Sequence, residues 1–120
     1  VKFSMGLCDF WGTVDTGILV DFLTKELGKK ISAKDLDMAG ERIWNLIRLF
    51  NVKAGFTAEQ DTVSGKILNQ TLQNGPWEGK KFDADALLEM KTLLYRMRGW
   101  DEQGTPTPEK LSELNLLDVN

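Results

Sequence analysis

SAKDLDMAGERIWNLIRLFNVKAG, at residues 32–55, carries the longest run of helical signals in the chain. Ser32 is a good N-cap, because its hydroxyl can accept an orphan backbone N–H, and Asp35 three residues on can reach back to it. Apolar residues then recur at helical spacing: Leu36, Ala39, Ile43, Ile47 and Phe50 share one face, and Trp44 and Leu46 widen it. Gly55 ends the pattern. The spacing predicts one long amphipathic helix with that stripe toward a core.

On either side of this segment the same signals continue. Upstream, a helix is predicted from about Asp15 to Leu27, with Leu19, Phe22, Leu23 and Leu27 as its stripe, Gly17 weakening its first turn and Gly28 as its stop. Downstream, residues 55–83 break into short pieces, with Thr57 as cap of a brief turn and Asn74-Gly75-Pro76 as a loop. Asp83 then caps a third long helix to about Met97, in which Leu87, Met90, Leu94 and Met97 repeat before Gly99. Thr107 with Pro108 starts a last short helix that docks through Leu111 and Leu114. Convincing period-two alternation is missing throughout. The fold class is therefore all-α: a small irregular helical domain of about three main helices plus short ones, occupying residues 1–120 as a single unit.

Composition narrows the function classes. In 120 residues, 42% are apolar and 28% charged, as in ordinary globular domains, and no stretch approaches the ~20 consecutive apolar residues of a membrane span. Fifteen bases scattered among eighteen acids leave a net charge of −3 and no basic face, which argues against nucleic acid as a partner. One cysteine, Cys8, rules out an intrachain disulfide. With no charged-then-apolar leader at the amino end, the expected compartment is the reducing cytoplasm. The chain has no histidine, which removes the commonest general base and zinc ligand. Four tryptophans, Trp11, Trp44, Trp77 and Trp100, either fill cores or await a partner surface.

Gly6-Leu7-Cys8 opens the chain before any regular element. On residue type alone Cys8 suits a small buried hydrophobe, and a thiolate metal ligand is the sharper alternative. Iron–sulfur clusters usually take four thiolates, so one cysteine would need partners outside this chain. Gly6 would let a backbone approach a bulky cofactor without a Cβ clash, or would simply make a turn. The carboxylate pairs Asp35 with Asp37 and Asp83 with Asp85 fall where caps and first helical turns favour negative charge. The charged run from Glu89 to Arg98 reads as a solvated helix face. Glu41 and Arg42 are mid-helix, placed to pair near Asn45 or Arg48 or to face a partner domain.

Three blocks in order carry a family resemblance: Gly6-Leu7-Cys8, the run from Glu41 through Trp44 and Phe50 to Asn51, and Arg98-Gly99-Trp100-Asp101 followed by Gly104, Pro106 and Thr107. Together they resemble the closing segment of the aldehyde:ferredoxin oxidoreductases, tungsten enzymes that oxidise aldehydes to carboxylic acids and pass electrons to ferredoxin. The resemblance covers nearly the whole chain. It implies that this is the C-terminal portion of a longer enzyme, inactive and without cofactor when isolated. It assigns Cys8 as the last of four ligands to a 4Fe–4S cluster, and the backbone around Gly6 and Leu7 as a contact to a pterin holding tungsten (or molybdenum). It further implies the N-terminal domains of the parent chain as packing partners, ferredoxin as electron acceptor, and admits a homodimer. The rest of the parent would cover an apolar patch around Leu7, Phe10 and Trp11.

Departures from the family pattern keep a second reading open. The family's pterin loop usually has an acid three residues before the glycine, where this chain has Phe3, which cannot accept a pterin N–H. After Phe50-Asn51 the usual Arg-Glu-Gly, Leu-Pro and Glu-Pro elements are replaced by Lys53-Ala54-Gly55, Val63-Ser64 and Gln70-Thr71, and Asn115 stands for a usual glycine. The alternative is a helical scaffold or docking domain whose redox site has decayed. A plain helical interaction module, anchored by its tryptophans, is the third reading.

Overall fold

The computed structural model describes residues 1–7 and 14–119. Among the described residues five α-helices, flanked by two short 3-10 helices, make an all-α fold. The first helix, α1, spans Thr16–Leu27. The Asp15 carboxylate accepts the Gly17 N–H at 2.7 Å to cap it, and Gly28 ends it in the left-handed region at φ 63°. The Ile31 N–H then donates to Thr24 Oγ1 at 3.0 Å and turns the chain into α2.

Helix α2 spans Ala33–Lys53. Ser32 and Asp35 form the expected reciprocal cap: Asp35 N–H donates to Ser32 Oγ at 3.3 Å, and Ser32 N–H and Oγ–H donate to Asp35 Oδ2 at 2.8 and 2.6 Å. Those bonds from Ser32, side chain first, hold the Asp35 carboxyl below its ordinary value. Helix α3 is the short Gly65–Asn69, α4 is Ala84–Arg98 and α5 is Pro108–Glu113. Between α3 and α4 an isolated antiparallel bridge, Thr71 with Lys81, closes the expected loop at Asn74-Gly75-Pro76.

The chain divides into two compact units. The first comprises α1, α2 as far as Ile47, and the chain from Leu111 onward. Its buried side chains are Leu19, Leu36, Asn45, Leu111, Leu114 and Leu116. Arg42 Nε donates to the Leu114 carbonyl at 2.9 Å, which fastens α2 to the turn after α5. That turn passes through Asn115 at φ 53°, and asparagine is among the side chains that tolerate the left-handed region, so the turn needs no glycine. The amino end lies on α2 as well, since a Cβ on Gly40 would stand 3.3 Å from Val1 Cγ2.

The second unit runs from Arg48 to Lys110 and buries Leu49, Ala58 and Tyr95 with Arg48 among them. Lys91 Nζ donates to the Ala58 carbonyl at 2.9 Å, so α4 is held to the turn after α2.

Helices α1, α2, α4 and α5 stand where the sequence reading placed them, while α3 falls in the stretch read as short irregular pieces, and the stripes do not all face inward. On α2, Leu36 is buried, yet Trp44, Leu46, Ile47 and Phe50 are exposed while Asn45, Arg48 and Leu49 are buried. On α4, Tyr95 is the one buried side chain, and Met90, Leu94 and Met97 are exposed. Periodicity reports which side of a helix is apolar, whereas burial depends on which neighbour the chain supplies, and polar groups with good partners can take the inner side.

The Asp83 cap of α4 supplies a test: its Oδ1 accepts from Asp85 N–H at 3.0 Å and Ala86 N–H at 3.1 Å. Asp83→Ala should lower stability by about 1 kcal/mol in urea denaturation. Asp83→Asn, which keeps the acceptor, should lose much less.

Candidate functional site

The amino-terminal loop is built by a 3-10 helix at Phe3–Met5 that ends at Gly6. Gly6 adopts φ 73°, a left-handed conformation that side chains other than glycine rarely take, and a Cβ there would meet nothing within 4 Å. The Gly6 N–H donates to the Phe3 carbonyl at 3.0 Å and the Leu7 N–H to the Lys2 carbonyl at 3.1 Å. Both amides therefore stabilise the turn itself. Phe3 is 79% exposed and Leu7 is half-buried. Cys8, and with it Phe10 and Trp11, lies outside the described residues. Among the described residues no three His, Cys, Asp or Glu side chains are grouped to hold a metal ion.

A second cluster forms inside the Arg48–Lys110 unit. Arg48, only 6% exposed, sits in the apolar run from Leu46 to Phe50 and must find a counter-charge to be buried there. It donates from Nη1 to Asp61 Oδ1 at 3.0 Å and from Nη2 to Asp61 Oδ2 at 2.6 Å, a two-pronged pair, and from Nε to the Gly104 carbonyl at 2.6 Å. The Tyr95 hydroxyl donates to the same Asp61 Oδ2. The guanidinium lies over the Trp100 ring, 4.8 Å from its centroid, and Trp100 and Tyr95 are tilted against each other at 5.7 Å.

Electrostatics follow from that packing. Burial acts to raise the Asp61 carboxyl, but the hydrogen bonds from Arg48 and Tyr95 outweigh it and hold the group below its ordinary value. Burial first, and the bond to Asp61 second, push the Tyr95 hydroxyl up to about 12. Arg48 directs Nε, Nη1 and Nη2 at partners in its own unit, and both Asp61 oxygens accept from it. The cluster is a lock, not an acid–base site.

This lock gives the Arg-Gly-Trp-Asp block its physical meaning. A Cβ on Gly104, at φ 74°, would stand 2.1 Å from Arg48 Nη2 and 2.9 Å from the Tyr95 ring, so only glycine fits. Asp101 folds the loop back: its Oδ1 accepts from Gln103 N–H at 2.9 Å and Thr105 N–H at 2.8 Å, and Trp100 pairs with Pro106 in an isolated bridge. Gly99 caps α4 at φ 69°, and Thr107 N–H donates to its carbonyl at 2.9 Å. Asp61 and Tyr95 were not singled out by the sequence. The available signal was Arg48 itself, a charge within an apolar run. Glu41 offers its backbone carbonyl to Asn45 Nδ2 at 2.9 Å.

The family model described as "Aldehyde ferredoxin oxidoreductase, domains 2 & 3" matches residues 1–116. This chain belongs to that family. It is 39% identical over 118 residues to the tungsten-containing aldehyde ferredoxin oxidoreductase of Pyrococcus furiosus, covering 96% of this chain and 19% of that protein. It is 40% identical over 116 residues to the same enzyme of Pyrococcus horikoshii, covering 94% and 18%. For Pyrococcus abyssi the identity is 41% over 97 residues, covering 80% and 16%. This family member thus spans less than a fifth of the length of those relatives. Among its described residues no helix is long and apolar enough to cross a membrane.

Two measurements test the lock. Asp61→Ala leaves a guanidinium buried without its counter-charge and should cost on the order of 3 kcal/mol in chemical denaturation. The pH profile has two edges. The Asp61 contribution is fully present above the unfolded carboxyl value of 3.8 and should be lost as pH falls through its lower folded value. The Tyr95 contribution is fully present below 10.0 and should be lost as pH rises to about 12.

Proposed function

We propose that this chain is the cofactor-side C-terminal portion of an aldehyde:ferredoxin oxidoreductase-like enzyme, in which Cys8 ligates a 4Fe–4S cluster and the backbone around Gly6 and Leu7 contacts a pterin carrying tungsten or molybdenum. The observation that carries the reading is Gly6-Leu7-Cys8 at the head of a chain whose residues 1–116 match the family. When bound, the metal pterin and the cluster would supply the oxidation of an aldehyde to a carboxylic acid and the electron path toward ferredoxin.

The residues fit such a group. Gly6 holds a left-handed turn with open space where a side chain would be, which suits close approach of a large planar cofactor. Since the Gly6 and Leu7 amides already donate within the turn, backbone carbonyls are the acceptors this loop can offer a pterin N–H. A thiolate is the donor that cluster iron takes, and the three further ligands would come from elsewhere in the parent. The chain's own part is positioning: the turn at Gly6 shapes the backbone leading to this segment, and the closeness of Val1 to Gly40 of α2 seats the amino end on a helix. Substrate selection would reside outside these residues, and the 120-residue chain by itself would hold no cofactor and turn over nothing.

Phe3 favours one competing reading. Its exposed ring stands where the family usually has an acid, as expected of a scaffold or docking domain whose redox site has decayed.

The test is anaerobic expression of the full-length parent, with metal analysis and EPR of the wild type and Cys8→Ala. Expected is tungsten or molybdenum with cluster iron in the wild type, and loss of the cluster signal in Cys8→Ala. A well-folded parent free of these metals overturns the proposal and leaves the scaffold reading.

A further inference from the structure

Helix α4 carries three distinct sides. At 3.6 residues per turn, Leu87, Lys91, Tyr95 and Arg98 fall on one side, which its own unit covers: Tyr95 is buried and the other three are half-buried. Asp85, Glu89, Thr92 and Arg96 form a polar side, all exposed. Between these two lies a strip of Met90, Leu93, Leu94 and Met97, exposed by 65, 55, 45 and 75%. A helix that needed only its own unit and water would carry polar residues on that strip.

We infer that this strip is the seat of the portion of the parent chain outside these 120 residues, a contact separate from the cofactor loop at the amino end. The inference rests on the proposed place of the chain within a longer enzyme. The relatives are more than five times as long as the part matched here, and the matching family model is described as domains 2 and 3, so on the proposed reading a large further body would belong to the same polypeptide. Four side chains cannot supply the ~800 Å² per partner that a free-standing dimer of standard size buries. As one part of a contact within a single chain they suffice, because covalent linkage replaces most of the concentration cost. The strip lacks polar side chains across two turns, which suits a permanent contact better than a transient one.

Methionine oxidation reads this directly, because sulfoxide formation needs access to sulfur. The full-length parent is exposed to a brief hydroxyl-radical pulse, native and urea-unfolded, and Met90 and Met97 are followed by mass spectrometry. Expected is several-fold protection of both in the native parent, unchanged on dilution. Leu94→Glu on the strip should remove the protection and Thr92→Glu on the polar side should leave it. Oxidation of both methionines at the unfolded rate overturns the inference. Protection that disappears on dilution also overturns it, in favour of a second copy. Should Leu94→Glu fail to fold, the wild-type footprint decides alone. Metal analysis of the same preparation separates the two proposals: metal with unprotected methionines sinks this inference only, and protected methionines without metal sink only the cofactor assignment.

Discussion

A guanidinium buried in an apolar surround must be neutralised and hydrogen-bonded, and at Arg48 that requirement shapes the second unit. Asp61 has to present both oxygens to it, which fixes the turn after α2. Tyr95 completes Asp61 and so fixes the rotation of α4. The Gly104 carbonyl takes the remaining named bond, which brings backbone so close that no side chain is tolerated there. Trp100 roofs the guanidinium, so the segment leaving α4 has to turn sharply at Gly99 and fold back through Asp101. Residues far apart in the chain, and otherwise unexplained, answer to one buried charge.

The lock also separates structure from chemistry in this chain. Two of its groups are perturbed, with the Asp61 carboxyl held low and the Tyr95 hydroxyl held high, and perturbed groups often mark active sites. Here each of them is engaged by a neighbour in the same unit, so the perturbation comes from packing. The residues proposed to meet a cofactor belong instead to the Gly6-Leu7-Cys8 segment, where Gly6 keeps a turn open. On the function proposed above, other segments of a longer enzyme would complete that site.

Exposed apolar sides on α2 and α4 belong to the same picture. Helix α2 buries Asn45 and Arg48 beside Leu36 and Leu49 and shows Ile47 and Phe50 outward. The inner side is permitted to be polar because its hydrogen bonds are made: among the described residues no buried side-chain nitrogen or oxygen lacks a partner. On α4 the outer apolar strip is the one inferred here to be covered by the rest of a longer protein.

Local grammar in the sequence determined α1, α2, α4 and α5 and their caps and stops, though not α3. Asp15, Ser32, Asp83 and Thr107 are caps, and Gly28 and Gly99 are left-handed stops, because these are contests between a side chain and backbone groups a few residues away. The blocks around Cys8, Arg42 and Trp100 likewise carried the family without coordinates. Burial was not legible to the same degree. On α4 the periodic Met90, Leu94 and Met97 are exposed and Tyr95 holds the interior, because a helix's inner side is chosen by partners that lie tens of residues away. Asp61 in a stretch read as irregular, Tyr95 within a run read as solvated, and the glycine at 104 acquire their roles only when folding brings them to Arg48. Long-range complementarity of charge and volume is a property of the assembled chain, and only the tertiary structure decided it.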